Sequence, residues 1–548
     1  MNTTARHPKR CIAIAIASLL VASAHADNAP VTVNVNAATG KHPISPYIYG
    51  VAFAPDSATL KDLNTPLNRY GGNTTSSYNW QQNASNHAND WYFESLDEGS
   101  PNQGATGDNF ISLSKGGNAQ AAITIPMLDW VAKLGTGRAR LASFSIAKYG
   151  AQTGNDWQWF ADAGNGVLSS NNQDVTSNDP SDASTPNSVS LQRSWVQHMI
   201  ATWGNSANGG LKFYILDNEH SIWQSTHRDV HPVGPTMGEI AQKMISYGHM
   251  IRTQDSGAII FGPEEWGWGG YFYSGYDQQY GAAHGWNGVY PDRQANGNMD
   301  YMPWLLQQMH ADNVATGKRV LNVFTLHYYP QGGEFGDDTS QSMQLLRNKS
   351  TRSLWDPNYV DQSWIGDKVQ LIPRMKNWVA TYYPGTKTGI TEYNWGAEAN
   401  INGATTQADI YGIFGWKGLD YATRWTTPDK TTPTYKAMKM YRNYDGSHST
   451  FGDTSVTANV PNRDNVSAFA ALRSSDGALT VMVINKMLAG TKPLTIEIAG
   501  FTAGASAGEW QLTSANTIRH LTNATVASSK ITVNIPAQSI SLFVVPKG

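Results

Sequence analysis

The chain has 548 residues, of which 40% are hydrophobic and 15% are charged, with a net charge of −3. That length exceeds one ordinary domain, and the charge balance gives no electrostatic case for nucleic acid or an anionic membrane as partner. Tryptophan (19) outnumbers phenylalanine (15); some of those indoles belong to a core, but Trp and Tyr carry a polar handle suited to partly wet, ring-binding surfaces.

The first residues read as an export signal. Arg6, Lys9 and Arg10 precede an apolar stretch at 11–22, and Ala24-His25-Ala26 forms a signal-peptidase site. The apolar stretch is too short to span a bilayer. Cys11 is the only cysteine and leaves with the signal, which excludes a cysteine nucleophile, a disulfide or a thiolate metal site in the mature chain. An extracellular or periplasmic location is expected.

The alternating segment 31–35 reads as a half-buried antiparallel strand. From residue 47 to about 445 the pattern is strand, connection, helix, strand. Candidate strands lie at 47–52, 68–72, 122–128, 212–217, 258–261, 322–326, 387–391 and 421–424, with helices such as 237–252 and 301–311. Eight strands alternating with helices predict an α/β fold of the (β/α)8 TIM-barrel type. A doubly wound sheet is the alternative, but no G-x-G-x-x-G or P-loop sequence is present. Long polar connections are predicted at 169–190 and 271–298. From about residue 456, short alternating runs at 467–472, 479–485, 494–498, 508–513 and 539–545 predict a C-terminal β-sandwich. The expected organisation is a signal at 1–26, an N-terminal strand joining the sandwich at 27–45, a barrel at 46–445 and the sandwich at 446–548.

Two predicted strands end in glutamates. Tyr214-Ile215-Leu216-Asp217-Asn218-Glu219-His220 turns from apolar to polar within one residue, and Lys387-Thr388-Gly389-Ile390-Thr391-Glu392-Tyr393-Asn394-Trp395 does the same. Barrel chemistry sits at the C-terminal strand ends. One carboxylic acid and one carboxylate across such a mouth are the minimum equipment for cleaving a glycosidic bond. A lone strand-end Glu serves equally well as a structural ion pair; two of them, with Trp223 and Trp395 nearby in sequence, favour chemistry. Asn218 beside Glu219 supplies a carboxamide for a sugar hydroxyl.

Several motifs resemble glycoside hydrolase family 44, within the clan of retaining barrel glycosidases. They are Asn68-Arg69-Tyr70-Gly71-Gly72-Asn73-Thr74-Thr75, Leu216-Asp217-Asn218-Glu219, His327-Tyr328-Tyr329-Pro330, Thr391-Glu392-Tyr393-Asn394-Trp395-Gly396 and Ala422-Thr423-Arg424-Trp425. The likeness covers nearly the whole mature chain. It implies retaining, endo-acting cleavage of β-1,4-glucans, with cellulose derivatives, mixed-linkage glucan and xyloglucan as substrates. It implies Glu219 as acid/base and Glu392 as nucleophile, with Arg69 aiming the nucleophile and favouring its charged form. His327 and Trp425 would line the subsite where the sugar distorts, although a histidine there also fits a core role. Trp80, Trp355, Trp364 and Trp395 are further candidates for the cleft. His220 departs from the family pattern, which has proline after the acid/base.

His227 and His231 stand at i, i+4, a spacing that can hold zinc, but no Glu lies between them in the H-E-x-x-H manner and Pro232 follows at once. No G-x-S-x-G elbow supports a serine nucleophile. Catalysis is expected to need no cofactor. Family members can carry a structural calcium, for which Asp156 and Asp162 are candidate ligands. A monomer acting on a β-glucan is expected; a non-hydrolytic polysaccharide-binding protein is the alternative.

Overall fold

The structure, a computed structural model, describes residues 28–548; the expected export signal lies outside them. Eight parallel strands close into a barrel in chain order: Gly50–Ala52, Leu67–Tyr70, Gln120–Ile125, Phe213–Leu216, Ile259–Glu265, Val323–Tyr328, Lys387–Tyr393 and Tyr421–Arg424. Strands covered on both faces need near-continuous apolar runs, and the fourth is buried at every position. Inside the barrel, Leu67, Ala122, Phe213, Ile215, Phe261 and Val323 pack into one cluster. Tyr47 stacks on Tyr421 at 5.4 Å against that cluster.

Several strand boundaries differ from the sequence reading by a few residues, and two of the differences change what the strands do. Pro46–Tyr49 is a 3-10 turn, because Ser45 Oγ accepts from the Tyr47 N–H and proline presets its backbone angle. Only Gly50–Ala52 is strand there. The fifth strand runs on to Glu265, four residues beyond its predicted end, and so delivers two more carboxylates to the barrel mouth.

The connection predicted at 271–298 contains two helices, Gly275–Ala283 and Pro291–Ala295. Ser274 caps the first by accepting from the Asp277 N–H. The one predicted at 169–190 contains a 3-10 turn, Pro180–Asp182, and a short strand, Ser184–Pro186, paired with Trp130–Ala132. Further small sheets follow the second and third barrel strands, among them the hairpin Asn155–Asp156 with Phe160–Gly164.

The C-terminal module is a mixed sheet that folds on itself. Val31–Asn36 buries Val31, Val33 and Val35 in its core. This strand pairs antiparallel with Thr454–Asn459, as expected, but also parallel with Lys492–Ala499. It therefore joins the two layers of the sandwich along one edge, while Ser506–Leu512 joins them along the other through Ala524–Ala527 and Ser539–Val545. One N-terminal segment thus leaves no open edge at that seam.

The two modules share the helix Ile401–Lys417, buried at every residue from Ile401 to Gly415. Gly412 is the closest approach: a Cβ there would overlap the ring of Phe469. Lys486 of the C-terminal module reaches Asp409 on this helix at 2.6 Å, both side chains being buried. Asn348 and Lys486 exchange further hydrogen bonds through Asn348 Nδ2 to Lys486 O and Lys486 Nζ to Asn348 O. The C-terminal module is a brace for the elements behind the seventh barrel strand.

Candidate active site

The fourth strand ends in a turn that the sequence builds with Asp217. Its carboxylate accepts from the backbone N–H groups of Met127 and Leu128 after the third strand, and from that of Asn218. Asp217 and Glu219 both take left-handed backbone angles, φ 60° and 45°, an uncommon conformation for residues with a Cβ that surrounding contacts must hold. The Glu219 N–H is fixed to the Glu264 carbonyl at 3.0 Å. The turn aims Glu219 across the mouth. Burial pushes the Asp217 carboxyl up to about 6 even with three N–H donors on it.

Glu392, the sixth residue of the seventh strand, meets Arg69 Nη1 through Oε1 at 2.6 Å and accepts from the Tyr329 hydroxyl through Oε2 at 2.8 Å. Arg69 is fully buried and also binds Glu264 at 3.0 Å and Asn218 Oδ1 at 2.8 Å. Burial alone would lower its pKa; the charges of Glu392 and Glu264 outweigh that and raise it. The Gly71-Gly72 pair makes this possible. Side chains at these positions would collide, at Gly71 with the Arg69 guanidinium and at Gly72, 2.6 Å away, with Trp425. Gly72 also holds φ 93°, which favours glycine.

His327 lies between the carboxylates. Its Nδ1 is 2.8 Å from Glu219 Oε1 and 3.6 Å from Glu392 Oε2, and its Nε2 is 3.1 Å from Glu264 Oε2. Burial opposes its charge, but Glu392, Glu219 and Glu264 together raise it to about 9. The Glu264 carboxyl, which burial alone would push up, is held below its ordinary range by Arg69 and His327. Glu219 is raised, first by burial and then by the charge of Glu392. One oxygen of Glu219 and one of Glu392 lie within 4.8 Å of each other. An approach that close favours the arrangement of a retaining pair, about 5–5.5 Å apart, over the roughly 6.5–9.5 Å with which an inverting pair makes room for its water.

Sequence reasoning brought Glu219, Glu392, Arg69, Asn218 and His327 to this mouth, and the structure unites them. Asn218 Oδ1 is used by Arg69 and by the Gly72 N–H at 3.2 Å, while its buried Nδ2 has no partner. The two N–H donors of the carboxamide are thus unused within the protein. His327 ties carboxylates together and does not wall the sugar site. Trp425 lies beside the site, with the Arg69 guanidinium 5.8 Å from its ring centre. Trp364 is 61% exposed, and its indole N–H donates to Gln331 Oε1 at 3.0 Å. It lines an aromatic cleft with Trp266, Trp268 and Trp286.

Three candidates for the cleft are corrected. Trp80 is buried and donates its indole N–H to the Leu191 carbonyl. Trp395 is buried, hydrogen-bonded to Ser350 Oγ and packed on Tyr328. Trp355 packs edge-on against Trp416, in contact with the hydrophobic core. Each has enough apolar neighbours to satisfy an indole away from any substrate.

Glu264, Glu265 and Tyr329 were missed. The first two end a strand in carboxylates, the same signal that singled out Glu219. Tyr329 lies two residues beyond His327 and so faces the same way on an alternating backbone. Glu265 is buried behind the site. It accepts from Ser221 Oγ, stands 3.3 Å from His220 Nδ1, and is pushed up to about 8 by burial. Burial likewise pushes His220 down to about 3, and the Tyr301 hydroxyl is 3.2 Å from its Nδ1.

Of the expected calcium ligands, Asp162 is committed elsewhere: its oxygens accept from Ser145 Oγ at 2.6 Å and the Ala147 N–H at 2.7 Å. Asp156 is different. Its Oδ2 and Glu94 Oε1 are buried without hydrogen-bond partners. Burial and the neighbouring Asp156 raise the Glu94 carboxyl to about 7. Two facing carboxylates suit a hard, oxygen-seeking cation, which would share them with the Arg140 guanidinium, 3.3 Å from Glu94 Oε2 and 3.8 Å from Asp156 Oδ2. His231 Nε2 is engaged by Glu239 at 2.9 Å, and His227 is buried.

The family model of glycoside hydrolase family 44 matches residues 84–332. The chain is similar to CelM2, a bifunctional glucanase-xylanase from a metagenome library, with 65% identity and a TM-score of 0.94 over 95% of this chain and 100% of that one. A Paenibacillus polymyxa xyloglucanase of the same family, solved with xyloglucan, has 26% identity and a TM-score of 0.77, covering 94% of this chain and 100% of its own. Beta-mannanase/endoglucanase A of Caldicellulosiruptor saccharolyticus is 31% identical over 490 residues, which are 83% of this chain; the chain spans 34% of that relative's length.

Proposed function

The chain belongs to glycoside hydrolase family 44, and from that premise we propose that it cleaves β-1,4-glucan backbones internally, with retention of configuration. The observation that carries this is the close approach of Glu219 and Glu392 within a web of buried hydrogen-bonding and charged groups. Arg69 and Tyr329 each hydrogen-bond Glu392, and His327 stands 3.6 Å from it, which aims it at the anomeric carbon. Glu219, raised by burial and by Glu392, protonates the leaving oxygen and later deprotonates the water that releases the glycosyl-enzyme. Asn218 Nδ2 donates to a hydroxyl of the reacting sugar, a contact that strengthens as charge develops at the neighbouring carbon.

Mixed-linkage glucan, soluble cellulose derivatives and xyloglucan are the proposed substrates, supported by the glucanase and xyloglucanase names of its relatives. A polymer substrate and the basic-then-apolar first residues support action outside the cytoplasm. No helix of the described residues is long and apolar enough to cross a membrane. The site is complete within one chain, which supports a monomer. A calcium ion held by Glu94 and Asp156 would brace the elements around it and takes no part in bond cleavage.

Proton NMR of the first products from barley glucan tests the reading. The β-anomer should appear first and mutarotate later, and Glu392→Gln should release no reducing ends. Initial release of the α-anomer would mean inversion and would end the proposal.

A further inference from the structure

Two exposed indoles and a half-buried one lie together on the connections that follow the second and third barrel strands. Trp157 is 78% exposed and Trp159 57% exposed, both on the turn of the hairpin Asn155–Asp156 with Phe160–Gly164. Trp91, half-buried, meets Trp159 with ring centres 5.3 Å apart and planes inclined at 47°. An indole carries more apolar area than a folded protein ordinarily leaves in water. Two such side chains on one turn, continued by a third, form a patch of the kind that marks a binding surface.

The turn is built to hold them out. Asp156 Oδ1 accepts from the Trp159 N–H at 3.2 Å, the Trp157 N–H donates to the Asn155 carbonyl at 2.9 Å, and Asn155 Nδ2 donates to the Ala161 carbonyl at 2.8 Å. Beneath it, Arg140 pairs with Glu94 at 3.3 Å and reaches Asp156 at 3.8 Å.

A short run of bonded residues links the patch to the catalytic site. Asn218 binds the Gly72 N–H. Asn73, the next residue, donates through Nδ2 to both oxygens of Asp90, at 3.1 and 3.2 Å, and Trp91 follows Asp90. The Asp90 carboxyl is raised chiefly by burial, with the Glu392 charge also acting on it. Along this path Asn218 Nδ2 is a buried donor without a partner and Asn73 Oδ1 a buried acceptor without one. A free donor followed by a free acceptor, leading to exposed indoles, is the equipment for a chain of hydroxylated rings with flat C–H faces.

We propose that Trp91, Trp159 and Trp157 form a remote subsite that stacks on the pyranose rings of a β-1,4-linked glycan, several units to the non-reducing side of the bond being cut. The ligand class rests on the function proposed above; the binding claim does not depend on the identity of the acid/base. The non-reducing side follows from the path, which starts at the carboxamide that binds the glycone and passes within the field of the nucleophile. Equatorial linkages keep such a chain flat and leave its axial C–H faces free to stack. The subsite gathers long chains and has no hold on short ones.

The test compares the wild type with Trp157→Ala/Trp159→Ala, and with Trp157→Phe/Trp159→Phe as the control that keeps a stacking face. For barley glucan, the alanine pair should raise KM by about ten-fold, the loss of one tight stacking contact, with kcat unchanged and the phenylalanine pair near wild type. For cellotetraose, kcat/KM should be the same in all three. In affinity electrophoresis through hydroxyethylcellulose, on a Glu392→Gln background, the alanine pair should lose most of its retardation. Equal loss of kcat/KM on cellotetraose and polymer, or unchanged KM and retardation with the polymer, would overturn the subsite. A wild type that is retarded by polymer but cuts no β-1,4-glycan would overturn the function and leave the subsite to be judged by retardation alone.

Discussion

His327 Nδ1 stands 2.8 Å from Glu219 Oε1 while its Nε2 stands 3.1 Å from Glu264 Oε2, so one buried imidazole links two carboxylates of the barrel mouth. The protonated ring donates to both, and three surrounding carboxylates raise it to about 9. His327 in turn lowers the Glu219 carboxyl, against the upward push of burial and Glu392. Removing the ring therefore lets Glu219 keep its proton to higher pH. For His327→Gln, the alkaline limb of the kcat/KM profile should move up in pH while the maximum falls. A limb that stays in place or moves down would refute this account. Because its folded pKa lies above the ordinary 6.5, His327 stabilises the fold most fully below 6.5, and that contribution is lost as pH rises through about 9.

Arg69 bridges Glu392 and Glu264, and all three are buried. Taking one charge from such a cluster leaves the others uncompensated, at a cost of about 3–5 kcal/mol. Glu264→Gln should lower unfolding stability by that amount in guanidinium titrations and reduce kcat, since Arg69 then has one anchor fewer. An unchanged midpoint would show that the cluster relaxes or admits water.

Glu265 is raised from an ordinary 4.5 to about 8, so the folded protein holds it neutral beside a neutral His220. The unfolded chain ionises it near 4.5. Wild type therefore loses stability relative to Glu265→Gln as pH rises from about 4.5 to about 8, and the difference levels off above that. Melting temperatures of the two proteins across pH 4–9 should diverge over that window. Parallel curves would place a charge on Glu265 in the folded state.

At the junction of the modules, Lys486→Met leaves Asp409 buried without its cation and should cost about 3–5 kcal/mol. The pair Lys486→Met/Asp409→Leu should recover most of it, because no charge then remains. Gly412→Ala should cost about 1–3 kcal/mol through the overlap with Phe469. If the double variant is no more stable than Lys486→Met, the ion pair is not what the single change disrupts.

Calcium should raise the melting temperature of wild type after chelation, and Asp156→Asn should remove most of that gain. Readdition of magnesium, which prefers smaller, stricter octahedral sites, should restore less. Equal responses of the two proteins to calcium would place the ion away from Glu94 and Asp156.

The strand ends at Glu219 and Glu392 were legible because an apolar run followed by a carboxylate has one plain meaning in a barrel. The same signal at Glu264 and Glu265 passed unread, since Gly262-Pro263 reads as a stop and the strand continues through it. Indoles were not legible one at a time. Trp80, Trp355 and Trp395 have the composition of a sugar platform and the surroundings of a core, whereas Trp157 and Trp159 lie in a stretch that sequence alone marks only as polar loop.

The sequence by itself determined the barrel, the β-rich module with its N-terminal strand, and the two strand-end carboxylates Glu219 and Glu392, all of which follow from periodicity and from motifs local to a few residues. Only the tertiary structure decided the setting of those carboxylates, including the upward push on Glu219. That setting depends on distances to Arg69, His327, Tyr329 and Glu264, groups brought from three other strand ends, and on the loss of water around them. Burial and Coulomb energy are properties of neighbours in space, and no spacing along a chain records them.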